Sequence, residues 1–153
     1  MKIENSELGN MEIVKMTKDH TEALADLEKL CFSEPWSKKS LDDMVDHASA
    51  YFVTALHDGN ILGYGGMHCS IDEFYIDNIA VYRRHRNKGV GSAIINNLAD
   101  EAKRRGGKFI SLEVRLSNKA VDLYKRLGFA EEGRRKNFYT QPREDALILT
   151  RRF

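Results

Sequence analysis

Apolar and polar positions first alternate at 11–17 (MEIVKMT), which predicts a strand. The period then lengthens to that of a helix: Ala23, Leu24, Leu27, Leu30 and Cys31 share one face over 18–31, with Asp19 as cap and Glu22 three residues later. Pro35 breaks that helix, and Ser37 caps a second over 38–47. Strand-like runs follow at 50–57, 61–69 and 73–81. Asp58-Gly59-Asn60 joins the first two as a hairpin turn, and Gly65-Gly66 inside the second predicts a bulge or a close backbone approach. A basic glycine loop at 82–89 opens a helix at 90–105, on which Val90, Ala93, Ile94, Leu98 and Ala102 form one stripe. Lys103, Arg104 and Arg105 suit its C-terminal end, and Gly106-Gly107 stops it. A strand at 108–115, a helix at 118–127 and strands near 129–139 and 144–151 complete the chain. The order β-α-α-β-β-β-α-β-α-β-β predicts one mixed α/β layer fold.

The first ten residues are polar, end in Gly9-Asn10 and read as a flexible leader, which leaves 11–153 as a single domain. At 153 residues and 42% hydrophobic side chains, the chain is long enough to bury one core. No run approaches the roughly 18 apolar residues that span a bilayer, and no secretory signal opens the chain, so no membrane partner and a cytoplasmic setting are expected. Cys31 and Cys69 match no metal or redox spacing, and the five histidines (20, 47, 57, 68, 85) form no H-x-x-x-H or H-x-H pair, so no metal is expected. His68, beside Gly66-Met67, either lines a cleft or is satisfied within its strand.

The net charge of +1 speaks against direct nucleic-acid binding but hides a split. Residues 1–82 carry 6 Lys/Arg against 15 Asp/Glu, a charge of −9; residues 83–153 carry 18 against 8, a charge of +10. The split reflects either partners of opposite sign or internal neutralisation.

Arg86-Asn87-Lys88-Gly89-Val90-Gly91 carries the clearest chemistry. Glycines let backbone approach a ligand closely, and the helix that follows aims free N–H groups and the positive end of its dipole forward. With Arg83, Arg84, Arg86 and Lys88 around it, this site suits a phosphate-rich anion. It is neither G-x-x-x-x-G-K-[ST] nor G-x-G-x-x-G, so nucleotide hydrolysis and dinucleotide binding are unsupported. Phe32 and Trp36, in the connector CFSEPWS, form either a hydrophobic plug or a ligand surface.

Taken in order, CFSEPWS (31–37), GYGGM (63–67), DNIAV (77–81), R-x-x-G-x-G (86–91), SLEVR (111–115), LYKRLGF (123–129) and REDAL (143–147) resemble the GNAT acetyltransferases, and within them the RimI group of ribosomal-protein-alanine N-acetyltransferases. The resemblance spans 11–153. It implies a GNAT fold: a mostly antiparallel twisted sheet of about seven strands, flanked by about four helices and splayed between its fourth and fifth strands, here 73–81 and 108–115. Acetyl-CoA would lie in that splay, its pantetheine arm along the backbone of Ile79, Ala80 and Val81. Its pyrophosphate would sit on the N–H groups of Arg86, Asn87, Lys88, Gly89, Val90 and Gly91, with Ser92 adding a hydroxyl. Asn118 matches the family's cofactor-contacting asparagine but stands six positions before Tyr124, where the group more often has seven, so Ser117 is an alternative.

Glu113 matches the family's general base and Tyr124 the acid that protonates the departing thiolate. Burial beside Leu112 and Val114 would make Glu113 a stronger base; the alternatives are a strand carboxylate paired with Arg115 or a lysine, and a core aromatic in the stripe Val121, Tyr124, Leu127. Direct attack by the amine, with the oxyanion held by backbone N–H near Val81, is preferred to a relay through Cys31 or Cys69. Phe32, Trp36, Gly66 and Tyr139 would surround the peptide entrance. The implied substrate is the N-terminal alanine on the basic tail of a small-subunit ribosomal protein, met by a monomer or weak dimer. A GNAT acting on a small-molecule amine, or a non-catalytic CoA-binding module, are the competing functions.

Overall fold

The alternating stretches of the sequence become a meander of antiparallel strands, and the two long amphipathic stretches become helices on its opposite faces. A computed structural model describes residues 2–6 and 9–153. In chain order its elements are β1 (Lys2–Ser6), β2 (Gly9–Lys15), α1 (Lys18–Cys31), α2 (Lys38–Val45), β3 (Ala50–His57), β4 (Asn60–Ser70) and β5 (Glu73–Val81). A 3-10 turn (Arg83–His85), α3 (Val90–Arg104), β6 (Phe109–Arg115), α4 (Val121–Arg126), β7 (Ala130–Thr140) and β8 (Arg143–Arg152) follow. The strands make one sheet in the order β1-β2-β3-β4-β5-β6-β8-β7, antiparallel throughout except for β5 with β6.

That parallel pair positions the site. β5 and β6 are registered only at Glu73–Tyr75 against Phe109–Ser111 and make no ladder bond beyond it. The expected splay is therefore present, now between the fifth and sixth strands, because the sheet has eight strands rather than about seven. The additional one is β1. Lys2–Ser6, expected to belong to a flexible leader, instead pairs with β2, Lys2 against Glu12 and Ile3 against Met11. For Met1, Glu7 and Leu8 the leader expectation lies outside the described residues.

Successive strand residues alternate between two cores. Val53 and Ala55 of β3 join Ile94, Ile95 and Leu98 of α3 on one face, while Phe52 joins Leu24, Leu27 and Leu41 of α1 and α2 on the other. All five expected stripe residues of α3 are buried. α3 lies so close to β4 that a Cβ on Gly65 would stand 2.4 Å from Ile94 Cγ2 and 2.7 Å from Ile79 Cδ1. Gly65→Ala is therefore expected to destabilise the fold by about 1–3 kcal/mol, read as a lower urea midpoint with unchanged slope.

Three helix details differ from the sequence pattern. α1 is started by Thr17 rather than Asp19: the Thr17 N–H donates to Nδ1 of His20 (3.1 Å). Its buried face contains Thr21 and Glu28, while Leu30 points outward. α4 begins at Val121 rather than 118, because Oδ1 of Asn118 accepts the Ala120 N–H (2.8 Å) and closes a turn ahead of the helix.

Candidate active site

Where β5 and β6 part, a cleft of about 590 Å³ opens. Its walls are the α1–α2 connector, the second half of β5, Leu112–Arg115 of β6, Asn118, Tyr124, the Phe138–Thr140 end of β7 and Gln141 of the turn that follows. Ile79, Ala80 and Val81 follow one another along β5. Each pairs with β4 on one side (Gly65, Tyr64 and Gly63 respectively), and none pairs with β6 on the other. A chain of amide groups laid into the splay thus meets a strand edge that β6 leaves unpaired.

The loop at the end of β5 turns through left-handed backbone at Asn87 (φ +61°) and Gly89 (φ +87°) before α3 starts. Gly89 is the N-cap, and Ala93 N–H already reaches its carbonyl (3.0 Å). The N–H groups of Val90, Gly91 and Ser92 precede that first helical bond, and no acidic side chain lies in the first turn. A Cβ on Gly91 would approach nothing closer than Leu123 Cδ2 at 3.6 Å, so access there is open. The guanidinium of Arg86 faces away from this terminus: Nε donates to Val81 O (3.0 Å) and Nη2 to Cys31 Sγ (3.5 Å), tying the loop back to β5 and α1.

Glu113 and Tyr124 reach the same cleft from different elements. On β6, Leu112 and Val114 turn into the α3 core and Glu113 turns the other way. The expected burial of this carboxylate is not found. It is 31% exposed and ion-paired through Oε1 with Nε of Arg135 on β7 (2.8 Å). Arg115, the anticipated partner, instead donates to the carbonyls of Gln141 and Pro142 (3.0 and 2.8 Å) and pairs with Glu144 (3.3 Å). Glu144 also accepts the Ser117 N–H (2.7 Å), so one network holds the β7–β8 turn against β6.

Tyr124 is both things its pattern suggested. Its ring packs in the core, edge-on to Phe129 at 5.7 Å, and only 5% of it is exposed, yet it lines the cleft. Burial alone pushes its phenol well above the ordinary tyrosine value, so it stays a proton donor at neutral pH. Asn118 lines the cleft too, but its carbonyl oxygen is committed to the α4 turn.

On the opposite rim, Phe32 and Trp36 are half-buried. Trp36 rests on Phe52 at 5.6 Å, so these aromatics plug the second core and wall the cleft at once. Tyr139 is half-buried below the Arg115 guanidinium (4.4 Å to the ring centre) and edge-on to Phe138 (5.1 Å). Gly66 is a correction. Its Cβ position lies 2.4 Å from the Phe52 ring, so close packing explains this glycine, and it is not among the residues lining the cleft.

Two features escaped the sequence pattern. Glu28 is fully buried, with no cationic partner among the described residues; its carboxylate accepts the Trp36 N–H (2.9 Å) and the Asn78 side-chain amide (2.9 and 3.0 Å), and burial raises it above the usual carboxylate range. One side chain thus ties α1, the connector and β5 together. Asp77 lines the cleft and is hydrogen-bonded to Nδ1 of His68 on β4. Both Asp77 and Asn78 belong to the DNIAV motif, where a polar pair inside a central strand is the available signal; for Glu28 the signal is absent, since a glutamate on a helix normally faces water.

The GNAT acetyltransferase family profile matches residues 21–129. The chain belongs to that family. It is 34% identical over 126 residues to the [ribosomal protein bS18]-alanine N-acetyltransferase of Escherichia coli (strain K12), covering 80% of this chain and 84% of that one. It is 32% identical over 132 residues to the enzyme of that name from Haemophilus influenzae, covering 84% and 89%. The crystal structure of the E. coli ribosomal-protein-S18-alanine N-acetyltransferase superposes with a TM-score of 0.84 at 30% identity, covering 93% of each chain. The protein is an N-acetyltransferase of the GNAT fold, and its family uses acetyl-CoA. Among the described residues no helix is long and apolar enough to cross a membrane.

Proposed function

We propose that this chain transfers the acetyl group of acetyl-CoA to the α-amine of a protein N-terminus, namely the N-terminal alanine of small-subunit ribosomal protein S18, in the cytoplasm. The carrying observation is the single cleft that brings the unpaired edge of β5 together with Glu113, Tyr124 and an aromatic entrance. The E. coli and H. influenzae relatives, whose names specify this substrate, support the choice of amine. In this reading Ile79, Ala80 and Val81 bind the pantetheine arm, and the amides from Arg86 to Gly91, with Ser92, bind the pyrophosphate. Phe32, Trp36 and Tyr139 border the peptide.

The amine attacks the thioester carbonyl directly. Glu113 accepts a proton from the attacking nitrogen, and Tyr124 gives one to the thiolate. An α-amine titrates near 7.7–8.0 against about 10.4 for lysine, so freeing its lone pair at neutral pH costs roughly 3 kcal/mol less. A covalent relay through Cys31 is disfavoured, because burial pushes that thiol up despite the Arg86 guanidinium beside it, and a thiol rather than a thiolate is a poor nucleophile.

The acidic and basic halves of the chain pack together but exchange few ion pairs: among the described residues one, Lys108 with Asp72 (3.1 Å), joins them. Steering of a basic peptide by the acidic half follows. Its kcat/KM is expected to fall with added salt more steeply than that of a neutral peptide, and equal slopes would remove the steering. The function itself is tested by offering acetyl-CoA with peptides that begin Ala, Ser, Met or Gly, alongside polyamines. Preference for the Ala peptide is expected, and acetylation of polyamines alone would overturn the reading.

A further inference from the structure

An ammonium group loses two protons on its way to an amide, one before it can attack and one after the N–C bond forms. Glu113 answers for one of them. The cleft holds a second carboxylate whose surroundings suit the other. Gly66 of β4 pairs with Asn78 and Met67 with Ile76, so Asp77 is the extra residue of a β-bulge. Such bulges re-aim a side chain. Here the bulge turns the Asp77 carboxylate into the cleft, 24% exposed, and onto Nδ1 of His68, itself 33% exposed at the molecular surface.

The groups facing Asp77 are His68, with the His47 ring behind it (5.8 Å between centres), Tyr64 and Glu28 on the α1 side, and Glu113 with Arg135 across the cleft. None of these except Arg135 is a permanent cation, and Arg135 is already paired with Glu113. Burial raises the Asp77 carboxyl, with the His68 hydrogen bond opposing, and the bulge aims it at the space the ammonium must enter.

We propose that Asp77 docks the substrate's terminal ammonium and takes its first proton, with His68 as the residue that positions the carboxylate. This rests on the amine-acetylation reading above. An N–H bond of the ammonium breaks, its electron pair stays on nitrogen, and an O–H bond forms on Asp77. The freed amine attacks the thioester carbonyl, making the N–C bond. The second proton passes to Glu113, and the C–S bond breaks as Tyr124 protonates sulfur. Tyr124 recovers its proton from Glu113 through water, and Asp77 returns its own to solvent on the His68 side. One ammonium and acetyl-CoA thus give one acetamide, CoA thiol and a released proton.

The test is the acidic limb of kcat/KM against pH. Wild-type enzyme should keep its rate below the amine's own pKa, while Asp77→Asn can use only amine that is already neutral, so its limb moves up to the amine value of about 7.7–8.0. At about pH 6.5 the loss should be about 15–30-fold, the inverse of the neutral fraction of an amine that titrates near 7.7–8.0, and at about pH 9.5, where the amine is free, the two enzymes should converge. Affinity for CoA should be unchanged. A limb that stays in place, or a loss of equal size at every pH, overturns the proposal. Should Asp77→Asn not fold, His68 carries the test: His68→Gln keeps a donor toward Asp77 and retains the wild-type limb, His68→Phe shifts it upward, and identical limbs overturn the proposal. If the wild-type enzyme acetylates only small amines, the peptide reading fails on its own, and the same comparison is made with that amine.

Discussion

Tyr124→Phe is expected to lower kcat by about 100-fold with acetyl-CoA affinity unchanged. The substitution removes one oxygen and keeps the ring, so the edge-on contact with Phe129 and the packing against α3 survive. The hydroxyl makes no hydrogen bond to any described residue, so its loss leaves no buried partner unsatisfied, and stability should hold. What disappears is the donor for the departing thiolate. Burial raises this phenol, which keeps it protonated up to high pH and places the loss in the chemical step. Steady-state kinetics paired with calorimetric CoA binding separate the outcomes. An unchanged kcat would remove Tyr124 from the acid role; weakened binding with normal turnover would make it a cofactor contact.

The second large effect lies outside the chemistry. Glu28→Leu should destabilise the fold by about 2–5 kcal/mol, since it strands the Trp36 N–H and the Asn78 amide, each costing about 1–3 when buried without a partner. It should also raise the peptide KM, because the connector that carries Phe32 and Trp36 loses its anchor. Glu28→Gln keeps an acceptor and should lose far less. The two also differ with pH. Burial raises the Glu28 carboxyl, so between the ordinary value and the raised one the folded state binds more protons than the unfolded. This group's contribution therefore falls as pH rises through that window. Urea titrations from about pH 4 to about pH 7 should show wild type losing ground to Glu28→Gln, and parallel curves would mean that Glu28 titrates as it does in the unfolded chain.

Local pattern carried much of the fold and part of the site. The strands from residue 11 onward, the α3 stripe and the glycine loop are visible because each depends on residues a few positions apart. The motif resemblance extended this to Glu113 and Tyr124, which do meet in one cleft. What stayed hidden depends on distant partners. Nothing near Glu113 in sequence announces Arg135, 22 positions later on β7, which takes the place expected for Arg115. Gly66 lies in a strand beside the site, yet the Phe52 ring covers it. Asp77 looks like any polar strand residue until the register of β4 against β5 shows it to be the bulged one. Lys2–Ser6 has the composition of a loose end but gains a partner edge in β2.

The most direct measurement locates the acetyl group. A peptide beginning with alanine and containing an internal lysine, incubated with acetyl-CoA and the enzyme, is fragmented in a mass spectrometer. The cleft described above predicts acetylation of the α-nitrogen of alanine, with the lysine untouched. Acetyl on the lysine nitrogen, or on neither while a polyamine is modified, would contradict N-terminal acetyl transfer by this protein.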